Sequence, residues 1–411
     1  MSVDTRPGAA PAAVPNVADA VETVASHLHP VPSYDLADHP RPNGLEEVWR
    51  FTPLKRLRGL LDEPDADTPP GHLDWAIDAP ERVTTSEITT AEAIALGGPA
   101  PSDRVASLAV AHAGGAVRLD VPAEAELDRP VLVTLTGTGP EQITYGHVVI
   151  TVGAYAKATI VLEHRGSARY GSYLTVLVGD GAQLELVGLQ LWADDAVHAG
   201  QVALRVGRDA SVKTLNASLG GDLVRLVETA EYAGPGGDLQ QSGIYFVDAG
   251  QHIEHRLFVD HNAPHTKSHV DYRGALQGRG AHSVWVGDVL IRKIAEGITT
   301  YESNKNLVLT DGCRADSVPN LEIETGEIEG AGHASTTGRF DDEQLFYLRS
   351  RGIEEAEARR LVVHGFFADI IRRIGIPAVE QRLMDAVEGE LAINVGLPAD
   401  TTSDRDEGQA E

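Results

Sequence analysis

Val152-Gly153-Ala154-Tyr155-Ala156, Val178-Gly179-Asp180-Gly181-Ala182 and Val206-Gly207-Arg208-Asp209-Ala210 share one form, V-G-x-x-A, at intervals of 26 and 28 residues. Between and after them lie short runs in which apolar and β-branched residues alternate: ATIVLEH, YLTVLVG, LELVGLQL, VALRVG and SVKTLNASL. None holds the roughly 10–12 residues of helical pattern that a crossover between parallel strands of an α/β sheet requires. A fixed period of this size, made only of strands and turns, is the signature of a parallel β-helix, whose stacked coils bury a continuous apolar interior. Small residues at equivalent corners let one coil lie directly over the next. Weaker echoes at Ala233–Asp238, Asp248–Gln251 and Gly278–Ala281 extend the repeat. The pattern therefore predicts a mainly β fold, a right-handed parallel β-helix over residues 116–335, with open ends whose unpaired backbone groups need covering.

Helical patterns flank this core. The Pro/Ala-rich start is read as disordered to about residue 14. Asn16 is placed to cap a helix whose apolar face is Val17, Ala20, Val21, Val24 and Leu28. WRFTPLKRLRGLL (49–61) predicts a second helix with Thr52 as N-cap and Pro53 at its first position, making 1–115 an N-terminal helical region. After Gly338 the period becomes helical again. DDEQLFYLRSR ends at Gly352, a C′ glycine. The next helix carries Val363, Phe366, Phe367, Ile370, Ile371 and Ile374 on one face. A third starts at Pro377, with a stripe of Val379, Leu383, Val387 and Leu391. Residues 336–397 are thus expected to form a C-terminal helical domain that covers an end of the stack, and the acidic tail 398–411 is read as disordered.

Composition narrows the function. Sixty-one acidic against 34 basic residues give a net charge of −27, which repels a polyanion such as DNA or RNA. No apolar run approaches the ~20 residues of a membrane span, and the N-terminus shows no charged region followed by an apolar one, so a cytoplasmic location and no membrane partner are expected. The single cysteine, Cys313, allows neither an internal disulfide nor a cysteine-only metal site and reads as a small apolar filler. There is no G-x-x-x-x-G-K-[ST] and no Gly-Lys pair, so no nucleotide is expected on this chain; AGPGGD (233–238) reads as a solenoid turn. Six histidines fall between His252 and His282, with His261, His265 and His269 at steps of four, which on a strand would mean one face. Either they converge on a metal, which needs three or four ligands, or they are turn and surface histidines satisfied by backbone carbonyls. β-Helices also host carbohydrate chemistry; Asp260, Asp271 and Asp288 are available for it, yet no tight acidic pair stands out.

HRLFVDHNAPHTKSHVDYRGAL (255–276), SVPNLEIETGEI (317–328), GHASTTGRFDDEQLFYLRSRGI (332–353) and LVVHGFF (361–367) resemble, in wording and order, the SufB/SufD family of iron–sulfur cluster assembly proteins. WRFTPL (49–54) is similar to the family's N-terminal segment. The resemblance implies a non-catalytic scaffold subunit in a complex of one SufB-like paralogue, met through the β-helix, one SufD-like subunit, and two copies of a SufC-like ABC ATPase that supplies the nucleotide chemistry. The ATPase would dock on the C-terminal helices, through Phe346, Tyr347, Arg351, Phe366 and Phe367. In the SufB-like subunit a cysteine two residues before the matching histidine carries the nascent cluster; here that position is Ala331, in Gly330-Ala331-Gly332-His333. A thiolate binds iron and sulfide and a methyl group does not, so the chain looks like the SufD partner. His333 would then offer an imidazole nitrogen to a nascent iron–sulfur cluster shared with the partner; the alternative is a histidine that only buttresses the turn into the C-terminal helix. A SufB-like main scaffold, a homodimer of this chain, and a β-helix carbohydrate-active enzyme are the competing readings.

Overall fold

The computed structural model describes residues 31–65, 67–340 and 342–393; the expected helix over Val17–Leu28 and the tail from residue 398 lie outside them. The core is a parallel β-solenoid of two-strand coils, about eight turns in all. It begins with β3 (Ala116–Val121), β4 (Val131–Val152) and β5 (Lys157–Val178). One face continues from the first half of β5 through β6 (Gln183–Trp192), β8 (Ser211–Ser218), β10 (Asp238–Val247), β12 (Lys267–Leu276), β14 (Ile298–Val308) and β16 (Ile328–Arg339). The other continues from the second half of β5 through β7 (Val197–Val206), β9 (Leu223–Tyr232), β11 (His252–His261), β13 (His282–Ile291) and β15 (Arg314–Ile323). Successive coils are in register at 26 residues early on (Lys157↔Gln183) and 32 late (Lys267↔Thr299), so the period lengthens along the stack.

The V-G-x-x-A corners explain the early period. Each is a four-residue turn closed from alanine to glycine: Ala156 N–H donates to Gly153 O, Ala182 to Gly179 and Ala210 to Gly207, at 3.1–3.2 Å. The alanines are buried at 1% exposure or less and the valines end the preceding strands. Glycine is required because the corners touch backbone to backbone. A Cβ on Gly179 would lie 2.6 Å from Ala154 N, and one on Gly207 2.6 Å from a carbonyl carbon of Gly179. The turn Ala233–Gly237 continues this column. Asp248–Gln251 and Gly278–Ala281 do not: they follow β10 and β12 and stack on each other at the opposite corner, where Gly250 N–H donates to Arg279 O. The sequence period had merged two columns into one.

Each flank of the stack is sheathed. Outward residues of one face (Val161, Val187, Leu189, Leu215, Ile244, Phe246 and Ala275) pack with the C-terminal helices α3 (Asp342–Ser350), α4 (Glu355–Ile371) and α5 (Pro377–Ile393). Arg382 on α5 reaches the buried Glu163 at 2.6 Å, and Arg373 reaches Asp271 at 3.2 Å. These helices therefore lie along the side of the solenoid instead of covering its end, where their sequence pattern had placed them; an apolar stripe finds its largest apolar partner on the flank. Among the described residues, β15 and β16 each pair on one side only.

The other flank carries the N-terminal segment. Here the expected helix of residues 49–61 is a single 3₁₀ turn, Leu54–Leu57, ended by Arg58 in the left-handed conformation at φ 47°. Thr52 does not cap it; its hydroxyl donates to the buried Glu254 at 2.7 Å. The region is also less helical than expected, because β1 (Leu73–Asp78) pairs antiparallel with β4, and β2 (Thr84–Ile88) pairs antiparallel with β3 and covers the first coil. It holds α1 (Thr90–Ala95) and α2 (Arg104–His112), the latter N-capped by Asp103. The clamp is Arg225, 1% exposed, which stacks 3.8 Å over the Trp49 ring and bonds Asp103 at 2.6 Å. Cutting one partner of a buried pair leaves an uncompensated charge. Asp103→Asn keeps the cap and removes the charge; urea unfolding should show a loss near the low end of about 3–5 kcal/mol, since Glu254 still lies 3.4 Å from Arg225.

The interior is not wholly apolar. His147, His164 and His255 are buried, and burial holds their pKa down at about 4; His261 is held at about 3. Each is neutral when folded but titrates near 6.5 when unfolded. Between about pH 6.5 and pH 4 the unfolded chain takes up protons the folded chain refuses, so their contribution to stability falls as pH is lowered through that window. His147, with neither ring nitrogen hydrogen-bonded, is the cleanest probe. His147→Leu should flatten the loss, and urea midpoints at pH 7 and pH 5 should differ less in the variant than in the parent.

Candidate functional site

His333 lies on β16, in the last coil described. The strand alternates, so Ala331 and His333 both face inward; Ala331 packs against the main apolar core. One coil below, His333 is in register with Glu302 on β14, and its Nδ1 lies 3.8 Å from Glu302 Oε1. The imidazole is 45% exposed while the Glu302 side chain is only 2% exposed. Neither Glu302 oxygen has a hydrogen-bond partner among the described residues. Burial, with the nearby charge of Asp288, pushes its carboxyl up to about 8. Gly287 on β13 gives that carboxylate its room, since a Cβ there would collide with Oε2 and with the Trp285 ring. Beside this pair, Ser335 bonds Ser317 at 2.8 Å, and Ser317 donates to Asn304 at 2.8 Å, tying β16, β15 and β14 together. The arrangement is a half-exposed nitrogen donor over a buried, unsatisfied oxygen donor, at the open end of the stack.

Glu302 was not legible as a site residue from local motif. The signal was there in the period: it stands one coil, 31 residues, before His333.

The other candidates separate. His261 points inward and bonds Thr266 and Ser268, His265 sits in the turn at φ 58°, and His269 is exposed on the opposite face against Tyr301. The step of four does not put them on one face, because a turn intervenes. Among the described residues no three His, Cys, Asp or Glu side chains converge as a metal site. Asp271 is on one face of the solenoid and Asp260 and Asp288 on the other, with Asp260 accepting from Nε and Nη2 of Arg292 at 2.9 Å each, so the three share no groove. Burial pushes the Cys313 thiol up, and the thiol donates to Gly278 O, as a filler would. No helix among the described residues is long and apolar enough to cross a membrane.

Of the expected docking residues, Phe346 and Tyr347 are exposed at 74% and 56%, and Arg351 lies 4.8 Å over the Tyr347 ring. Phe366 is half-buried, with its carbonyl accepting from Arg273. Phe367 is fully buried in the core beneath α4 and is not presented to a partner, which corrects its assignment.

Geometry thus defines a class: a parallel β-solenoid sheathed on both flanks, with an imidazole at its unsheathed last coil. A family model for "SUF system FeS cluster assembly, SufBD core domain" matches residues 134–366. Iron-sulfur cluster assembly SufBD family proteins of Mycobacterium bovis and Mycobacterium tuberculosis are 46% identical over 396 residues, covering 95% of this chain and 99% of theirs. The iron-sulfur cluster assembly protein SufD of Escherichia coli is 25% identical over 255 residues, 60% of each chain. The chain belongs to the SufBD family of iron–sulfur cluster assembly proteins.

The two aromatics of α3 and α4 should part company on substitution. Phe367→Ala is expected to cost about 3–5 kcal/mol by opening a core cavity, and Phe346→Ala less than about 0.5 kcal/mol, measured by chemical denaturation.

Proposed function

We propose that this chain is a SufD-like scaffold subunit: it performs no catalysis itself, pairs with a cysteine-bearing SufB-like paralogue through its last coil, and offers His333 to a nascent iron–sulfur cluster held between the two. The observation that carries this is the placement of His333, half-exposed on a strand whose outer edge is unpaired among the described residues. An unpaired edge is a template for a second chain's strand, so a partner that adds there brings its own side chains beside the imidazole. Ala331, two residues away on the same inward side, supplies no thiolate, which supports a reading in which the partner ligates the sulfur. Similarity to SufD of Escherichia coli supports the same assignment. Glu302 is the second donor within reach.

A SufC-like ABC ATPase would dock on the C-terminal helices through Phe346, Tyr347 and Arg351; both aromatic rings are exposed, and Arg351 lies over the Tyr347 ring. Because those helices are bonded to the flank by Arg382–Glu163 and Arg373–Asp271, a movement imposed on them is delivered to the solenoid as a body. Differential affinity of ATP for the closed ATPase pair would provide the work.

The test is co-expression with the cysteine-bearing paralogue and the ATPase from the same system. His333→Ala should leave the ternary complex intact by size exclusion while iron and sulfide per complex fall several-fold. Unchanged cluster content removes His333 from the site. Phe346→Asp should release the ATPase and keep the paralogue; loss of both together would mean that the helical sheath had unfolded.

A further inference from the structure

A histidine pair lies on the outer side of the solenoid, whereas His333 faces inward. His252 opens β11 and His282 opens β13, in register and side by side at the corner of two successive coils. Their rings meet edge to face with centroids 4.8 Å apart, and their Nδ1 atoms are 3.1 Å apart. The remaining nitrogen of each ring faces a carboxylate. His252 Nε2 lies 3.3 Å from Glu254 Oε2, and His282 Nε2 lies 2.7 Å from Asp316 Oδ2.

The hydrogen-bonding roles make this arrangement informative. An ionised carboxylate only accepts hydrogen bonds, so a ring that donates its Nε2 proton to Glu254 or Asp316 turns an Nδ1 lone pair toward the other ring, and the two Nδ1 atoms meet at 3.1 Å. A cation fits between two such lone pairs. The separation fits an ion: two nitrogens each about 2.0–2.1 Å from one metal are roughly 2.8–3.4 Å apart between octahedral and tetrahedral angles. A carboxylate behind each ring is also how proteins fix the tautomer and aim of a metal-binding histidine.

We propose that His252 and His282 bind a divalent transition-metal ion through their Nδ1 atoms, with Glu254 and Asp316 as positioning residues and water completing the coordination. His252 is 1% exposed and the His282 side chain 20%, so the open positions face out on the His282 side. Two neutral imidazoles select ions of the zinc, nickel, copper and iron(II) group over magnesium or calcium, which take oxygen ligands. The site does not depend on the cluster-assembly reading, because it shares no residue with His333 and Glu302.

The probe is Co(II), titrated into the full-length chain carrying His333→Ala to remove the other candidate imidazole, and followed by visible absorption and equilibrium dialysis. One equivalent should bind. His282→Gln should abolish it, and Asp316→Asn should weaken it about 10–100-fold, with circular dichroism confirming the fold of both. His269→Gln, which changes an exposed histidine on the opposite face, should bind as the parent does. No bound Co(II) in the parent, meaning that the rings share a proton instead, would overturn the proposal. So would the same stoichiometry and affinity in His282→Gln and Asp316→Asn.

Discussion

The stack stands on backbone touching backbone at its corners. Gly153, Gly179 and Gly207 each sit where a side chain would strike the turn of the adjacent coil, and from that contact the parallel ladders follow with a register of one coil. Once register is set, inward and outward are set too, because side chains alternate along each strand. Residues a full coil apart become neighbours, as Glu302 on β14 and His333 on β16 do, and strands of one coil face each other across the interior, as Gly287 on β13 and Glu302 do. The site at the last coil is a consequence of stacking more than of any local motif.

The same alternation governs the flanks. Outward residues of one face are mostly apolar, from Val161 to Ala275, with Glu163 and Asp271 among them, and draw in the C-terminal helices and the arginines they carry. Those of the other face mix apolar Val197, Ala199 and Leu223 with charged Arg225, Glu254 and Arg256, and draw in a segment with matching chemistry: Trp49 to stack, Asp103 to pair and Thr52 to donate. Sheathing both sides removes apolar surface from water without consuming the edges of the terminal coil. The edge of the last coil stays unpaired among the described residues while the core is protected.

Interior polarity has a cost in stability and a use in geometry. Buried neutral histidines and the unsatisfied Glu302 are each less favourable than an apolar residue of similar size. Glu302 is tolerated where the interior meets the open end, directly below the half-exposed His333. The outward His252–His282 pair is instead satisfied from behind by carboxylates. One pair leaves its carboxyl oxygens without a hydrogen-bond partner among the described residues, and the other sets two imidazole nitrogens 3.1 Å apart.

The amino-acid sequence determined, by itself, that this is a solenoid, because the glycine-bearing corner is a local requirement that recurs at a nearly fixed interval, and the stretches between residues 255 and 367 pointed to its family. It also determined the three C-terminal helices, whose apolar stripes are local patterns. Only the tertiary structure decided which corner each turn joined, since two corners alternate and similar glycines serve both. It decided that residues 49–61 would curl into one 3₁₀ turn around Arg225, because a buried charge 170 or more residues away outweighs the helical preference of a short segment. It placed the helices on the flank, burying Phe367 and leaving Phe346 and Tyr347 outside. Above all it brought Glu302 beneath His333 and His282 beside His252, contacts between residues about 30 positions apart that no linear spacing displays until the register of the coils is known.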